Sequence, residues 1–341
     1  VGCNARLYVP DRLAEGYGPN GPALRALRAE GVDVVVTLDC GIVAFEALRE
    51  AAEAGLDVIV VDHHVAAPEL PVAHAIVNPN RLDDETPHKQ LAAVGVAFLL
   101  VVGVNRALRE SGWYQGREEP DLLAWLDLIA LGTICDVVPL TGVNRALVTQ
   151  GLNVLSRRGN PGIAALADVA GLSEPPGTYH AGFVLGPRVN AGGRVGRADL
   201  GARLLSTENW DEARGLAEEL DRLNAERRVL EAEVEEWAVA QAAEQDPSNP
   251  LIFVAAAGWH PGVIGIVASR LKDRFRKPAI VVGVDGETGK GSGRSVRGVD
   301  LGAAVTAARQ AGLLINGGGH PMAAGLTVAI DNLAALGEFL K

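Results

Sequence analysis

Residues 56–66 read LDVIVVDHHVA, a run of aliphatics that ends in Asp62, His63 and His64 where a strand usually closes on Gly, Asn or Pro. Residues 32–41, VDVVVTLDCG, repeat the pattern with Asp39, and residues 121–140, DLLAWLDLIALGTICDVVPL, carry an apolar run into Asp136. Carboxylates with imidazoles suit Mn²⁺ or Mg²⁺, which prefer oxygen ligands with some nitrogen. Taken singly, each acid reads more readily as a helix cap or a solvent contact than as a ligand. An Asp-His-His run directly after an aliphatic strand shifts the reading toward a metal, because burying such groups without a metal or hydrogen bonds is costly. Cys40 and Cys135, beside two of the acids, read as small buried fillers.

A second set carries anion chemistry. Residues 186–205, GPRVNAGGRVGRADLGARLL, read as a Gly- and Arg-rich loop that opens a helix. Backbone N–H groups and guanidinium forks at such a place suit a phosphate, with Arg188, Asn190, Arg194 and Arg197 as candidates. The alternative is a surface loop with solvated arginines. Ser292, Arg294 and Ser295 lie on a polar segment that reads equally as a sheet edge. Three glycines before His320 imply that the backbone approaches something closely. His260 in GWHPG reads as a site residue or a structural one, and His74, His88 and His180 as structural or surface residues.

The elements that must position these groups follow from periodicity. A buried strand (32–41), a helical stretch closed by Gly55 (43–55) and a second buried strand (56–64) make a βαβ unit. Such a unit implies a parallel sheet with a right-handed crossover. Asp39 and Asp62 then sit just past the C-terminal ends of their strands, where open α/β sheets place ligands. A helix is predicted near 94–110, and one long helix over 209–245 that would span roughly 55 Å and connect two lobes. QDPSNP (245–250) marks a boundary. Beyond it come a strand (251–257), a strand (278–284), a turn (285–291), a polar strand (292–296) and a helix (301–311). The predicted fold class is α/β, with a parallel-sheet domain over 1–205, a connector helix over 206–246 and a smaller α/β domain over 247–341.

Composition narrows the function. A chain of 341 residues with 48% hydrophobic content builds two cores more readily than one. A net charge of −11 argues against a broad basic footprint for duplex DNA, but leaves room for a narrow Arg-lined groove. Three cysteines without CxxC spacing exclude a disulfide framework and a structural zinc site. No apolar run of about 20 residues and no signal-like start are found, so a soluble, cytoplasmic protein is expected. The chain starts at Val1 and its only methionine is Met322, so it reads as a piece of a longer protein.

VTLDCG, VVDHH, GTICDVVPL, GPRVNAGGR, GWHPGVIGIVASRL and NGGGHPMAAG, in this order, resemble the DHH phosphoesterase superfamily with its DHHA1 domain. Within it they resemble the RecJ family of single-strand-specific exonucleases, over nearly the whole chain. The resemblance implies that Asp39 bridges two metals, Mn²⁺ or Mg²⁺, and that His63 and Asp136 are further ligands. It implies catalytic roles for His64, close to the scissile phosphate, and for Asp62, a metal-site acid or a partner behind the ligands. Arg188, Asn190 and His320 would hold the DNA backbone. Ser292 and Arg294 would take the 5′-terminal phosphate, and VPDRLAEGYG (9–18) adds Arg12 to that pocket.

The implied activity is in-line hydrolysis of single-stranded DNA from its 5′ end, releasing 5′-mononucleotides in DNA repair and recombination. The implied protein is a monomer, with no membrane association, served by a helicase or a single-strand-binding protein. The resemblance also implies an Asp-x-Asp-Ala-Asp-Gly motif ahead of Val1, for which RLDDE (81–85) is a weak substitute, and an oligonucleotide-binding domain after Lys341. The 341 residues alone are therefore expected to be inactive or impaired. Two other readings remain open: a dinucleotide or oligonucleotide phosphodiesterase, and a non-catalytic single-strand-binding scaffold.

Overall fold

The computed structural model describes residues 3–11 and 15–341, so the candidate Arg12 lies outside the described residues. The chain divides into two compact units, described one at a time. The first takes the described residues up to Gly192 together with Arg197–Asp221, and the second takes Gly193–Gly196 with Arg222–Lys341. No helix among the described residues is long and apolar enough to cross a membrane.

In the first unit, α1 (Gly21–Ala29) starts at Asn20, whose side chain accepts a hydrogen bond from the Ala23 amide, with Pro22 in the first turn. Then β1 (Val34–Leu38), α2 (Phe45–Glu53) and β2 (Asp57–Val61) form the expected βαβ unit, and β3 (Ala75–Val77) extends it. The sheet is parallel, in the order β1-β2-β3. Leu38 pairs with Val61, and Val61 with Val77, so the strands end level and deliver Asp39 and Asp62 to one edge. Leu24, Leu48, Ala51, Leu56, Val58 and Val60 close one core against the sheet. On β1 the alternation leaves Thr37 buried and Val34, Val36 and Leu38 exposed.

A helical layer follows: α3 (Ala93–Glu110), α4 (Leu126–Cys135), α5 (Gly142–Leu155), α6 (Pro161–Val169), α7 (Gly186–Val189) and, past the short α8 (Gly192–Val195), whose last three residues belong to the second unit, α9 (Leu200–Ser206). Apolar nearly all round, α4 is largely buried, and α5 approaches it so closely that a Cβ on Gly151 would lie 2.1 Å from the Leu126 carbonyl oxygen. Residues 186–205, expected as a loop that opens a helix, are helical over most of their length, after a π-helical turn over His180–Leu185. The glycines there serve packing. A Cβ on Gly186 would meet Cys135 Sγ at 2.4 Å, and one on Gly201 would meet the Val189 carbonyl at 2.6 Å.

One helix, α10 (Trp210–Ala243), runs where the sequence predicts it. The second unit adds β4 (Ile252–Ala257), α11 (Pro261–Phe275), β5 (Ala279–Asp285), β6 (Thr288–Arg294), α12 (Leu301–Gln310), β7 (Asn316–His320), β8 (Ala323–Ala329) and α13 (Leu333–Leu340). Its sheet has the order β4-β5-β6-β8-β7, parallel only between β4 and β5. Alternate residues of β5 feed two cores: Ala279 and Val281 meet α10 and α11, while Ile280 and Val282 meet the side of α12. The α10 to α11 contact is pinned by Glu231, 3% exposed, which pairs with Arg227 and Arg270.

The polar strand is not an edge. β6 begins at Thr288, reduces the expected turn to Gly286 and Glu287, and pairs with β5 on one side and β8 on the other. Its alternate glycines explain how so polar a segment occupies the middle of a sheet. A Cβ on Gly289, Gly291 or Gly293 would run into Val282, Leu326 or Leu301 at 2.5–2.7 Å.

Candidate metal centre

Three chain reversals in the first unit bring acids and imidazoles together. Asp39 follows β1, Asp62 to His64 follow β2, and Asp136 caps the C-terminus of α4. His63 Nε2 lies 3.2 Å from Asp39 Oδ1 and 3.6 Å from Asp136 Oδ2. The other ring nitrogen, Nδ1, is 3.1 Å from the Leu91 carbonyl oxygen, which assigns a proton to Nδ1. Nε2 therefore confronts two carboxylates either as the second N–H of an imidazolium or as a lone pair that requires a cation. The hydrogen bond to Asp39 raises the His63 pKa above its ordinary value against the opposing effect of burial, and Asp136 adds to the rise. Burial likewise raises the Asp136 carboxyl.

The donor set fits a hard divalent cation. Ligand atoms of Asp39, His63 and His64 lie within 4.8 Å of one another, and all are carboxylate oxygen or imidazole nitrogen. Burial, reinforced by the neighbouring carboxylates, pushes the Cys40 and Cys135 thiols up to about 11. Both are partly buried, not fully as a core filler would be.

Asp62, expected among the reacting groups, lies beneath the open edge. It is 1% exposed, and it accepts hydrogen bonds from the amides of Ile42, His63 and His64 and from His64 Nδ1 at 2.7 Å. Burial alone would raise its pKa, but His64 and the three amides outweigh that and hold it down to about 2. Its geometry is that of a positioning residue. His64, with Nδ1 committed to Asp62, keeps Nε2 for the centre, and the Asp62 carboxylate raises the His64 pKa.

The backbone is strained at two points here. Asp39 has φ 61° and Val137, directly after Asp136, has φ 60°. Left-handed geometry is common one residue beyond a helix end, but glycine normally occupies it, and a side chain with a Cβ costs about 1–2 kcal/mol there. Val137 is the only β-branched residue with positive φ among the described residues.

Tyr17 is the member that motif reading missed. Its hydroxyl donates to the Asp39 carbonyl oxygen, and its ring meets His64 edge-on at 6.1 Å between centroids. Tyr17 lies in the stretch VPDRLAEGYG, which the resemblance ties to the 5′-phosphate pocket only through Arg12. In RLDDE, Asp83 pairs with Arg81 and Asp84 accepts from the Thr86 amide, so the cluster satisfies itself locally.

Elsewhere in the first unit, Arg188 is half-buried and already engaged, with Nε 2.7 Å from Asp221 Oδ1 and Nη1 2.8 Å from the Val184 carbonyl oxygen. Asn190 caps α7 and is exposed, and Arg197 pairs with Asp199. In the second unit, Arg294 Nη1 donates to Ser292 Oγ at 3.1 Å, on the side of β6 that faces α11. Gly265 of α11 leaves the space for them, since a Cβ there would come within 3.0 Å of Ser292 Oγ and 3.2 Å of Arg294 Nη2. His260 is the N-cap of α11, its Nδ1 accepting from the Gly262 amide, and Ser295 is buried with Oγ bound to the Val299 carbonyl. His320 ends β7, exposed. The close approach implied by the triple glycine is to α12, because a Cβ on Gly302 would lie 2.9 Å from Gly319 and the His320 amide.

Comparison with known proteins identifies the family and the fold. Residues 1–133 match the DHH family N-terminal domain, and residues 248–341 match the DHHA1 domain. The chain is 43% identical over 332 residues to the single-stranded-DNA-specific exonuclease RecJ of Bacillus subtilis, covering 96% of this chain and 40% of that protein. It is 40% identical over 343 residues to the Escherichia coli protein of that name, covering 97% and 59%. The chain thus spans about half the length of these curated relatives. A crystal structure of exonuclease RecJ bound to manganese superposes with a TM-score of 0.81 at 35% identity, over 98% of this chain and 80% of that one. RecJ from Thermus thermophilus in complex with Mn²⁺ gives 0.79 at 34% identity, over 93% and 46%. With this extent of identity and this fold, the chain belongs to the RecJ family of DHH and DHHA1 domain proteins.

Proposed function

We propose that this chain is the core of a divalent-cation-dependent exonuclease that degrades single-stranded DNA from its 5′ end and releases 5′-mononucleotides. The observation that carries the reading is the setting of His63, whose Nδ1 is tied to Leu91 while Nε2 faces Asp39 and Asp136. Asp39, His63 and Asp136 would hold Mn²⁺ or Mg²⁺. When bound, such a cation supplies Lewis-acid stabilisation of phosphoryl oxygens and lowers the pKa of an attacking water.

The chain's own groups do the rest. In the reaction, water adds to phosphorus and the P–O3′ bond breaks, leaving a 3′-hydroxyl on the released nucleotide and a 5′-phosphate on the shortened strand. His64 is the proton donor for the departing O3′, because Asp62 fixes its ring and favours its protonated form. Ser292 and Arg294 take the 5′-terminal phosphate, in the space Gly265 leaves open. Every turnover regenerates that phosphate, so the same pocket serves each successive cut. Asn190 and His320, both exposed, contact the strand's backbone, and Arg188 joins them by exchanging Asp221 for a phosphate.

The test is release of mononucleotides by the full-length protein from 5′-phosphorylated strands of graded length in Mn²⁺, with Asp136→Ala and chelator as controls. Turnover on long strands that is lost in both controls supports the reading. Cleavage confined to dinucleotides would replace it with a small-substrate phosphodiesterase, and strand binding without cleavage would replace it with a scaffold.

A further inference from the structure

We infer that Val137 is a substrate contact, whose isopropyl group packs on the sugar next to the scissile phosphate and selects a strand that lacks a 2′-hydroxyl. The inference rests on the nuclease reading and names the element that reads the sugar.

The argument starts from a mismatch between residue and backbone. At φ 60° one residue past the end of α4, glycine would be free of strain, yet the position carries a β-branched side chain. Packing does not compensate, because Val137 is 86% exposed, the highest value among the exposed large hydrophobics. A strained residue that gains nothing within its own unit is a candidate for a role toward something outside it.

Position then defines what that something is. Val137 is the neighbour of Asp136, and consecutive Cα atoms are only about 3.8 Å apart. A phosphodiester bound at a cation held by Asp136, His63 and Asp39 would bring its ester-linked sugars nearer to these ligands than its bases. Two more valines stand exposed beside groups of the centre: Val65 follows His64, and Val43 follows Ile42, whose amide donates to Asp62. None of these three isopropyl groups carries a hydrogen-bonding atom. A deoxyribose carbon gains from such a contact, while a 2′-hydroxyl there would lose water without finding a partner.

The experiment uses the full-length protein and two matched 5′-phosphorylated strands, one all-DNA and one with a single ribonucleotide at the 5′ end. kcat/KM on each and the thermal midpoint are measured for wild type, Val137→Gly and Val137→Thr. Removing the side chain is expected to leave the midpoint equal or higher while lowering kcat/KM on DNA about tenfold, the scale of a lost apolar contact of this size. Threonine keeps the shape and adds a hydroxyl partner, so it is expected to narrow the DNA to ribonucleotide ratio about tenfold. A wild type that cuts neither strand removes the nuclease reading itself. A wild type that cuts DNA, with both variants matching its rate and ratio, overturns the sugar contact alone. So does a glycine variant that melts lower, because the valine would then be serving the fold.

Discussion

His64 Nδ1 lies 2.7 Å from Asp62 Oδ1, and the same carboxylate gathers the amides of Ile42, His63 and His64. One buried acid therefore ties the turn after β1 to the turn after β2 and fixes which nitrogen His64 offers to the centre. Asp62→Asn keeps the volume but turns an amide donor toward a nest of N–H groups. It is expected to lower turnover or cation affinity about 10–100-fold, the range for partners that orient metal-binding imidazoles. Turnover and a Mn²⁺ titration check this, and a variant indistinguishable from wild type in both would show that His64 is oriented by other means.

Cation affinity should rise with pH. His63 is raised above its ordinary value because its protonated form suits Asp39 and Asp136, so a cation entering between them must displace that proton. Isothermal titration of Mn²⁺ at several pH values through the range above about 6.5 should show tighter binding and fewer protons released as pH increases. Affinity independent of pH would mean that His63 does not ligate.

Asp127 makes a separate pH prediction, remote from chemistry. It is 2% exposed in the first turn of α4, and burial raises its pKa, against a smaller opposing effect from the Leu128 amide and its own amide. An acid whose folded pKa is raised loses stability as pH climbs through and beyond its unfolded value near 4, once the charged form must be buried. Asp127→Asn should therefore be more stable than wild type in urea at neutral pH, with the advantage shrinking below about pH 4. A variant less stable at neutral pH would refute it.

Gly265→Val should erase the preference for a phosphorylated end. The added methyls occupy the space against Ser292 Oγ and Arg294 Nη2. Loss of a charged hydrogen-bonding site of this kind is worth about 1.5–3 kcal/mol, or roughly 10–100-fold in KM. A 5′-hydroxyl strand should be cut nearly as before. Equal losses on both strands would place the damage elsewhere.

The strand ends were legible because two aliphatic runs break off at an acid, and the parallel register then sets Asp39 and Asp62 at one edge. The long helix was legible from its spacing. Other features were not. Burial of Asp62 depends on amides from a neighbouring loop, which no local pattern encodes, and the role of Tyr17 depends on a contact 22 residues away. The first part of 186–205 read as a loop leading into a helix because its glycines are ambiguous: they read as flexibility, whereas here they permit close helix packing. The polar β6 looked like an edge for a similar reason, since a central strand is ordinarily apolar and this one substitutes glycine for bulk. Glu231 was invisible as a clamp because its partner Arg270 lies on another helix.

The two thiols beside the acids have a practical consequence. With Cys40 and Cys135 held near 11, almost none of either is thiolate at neutral pH, whereas Cys3 is exposed. Within this chain a maleimide fluorophore should therefore attach first at Cys3, giving a single-label reporter without any cysteine being engineered out.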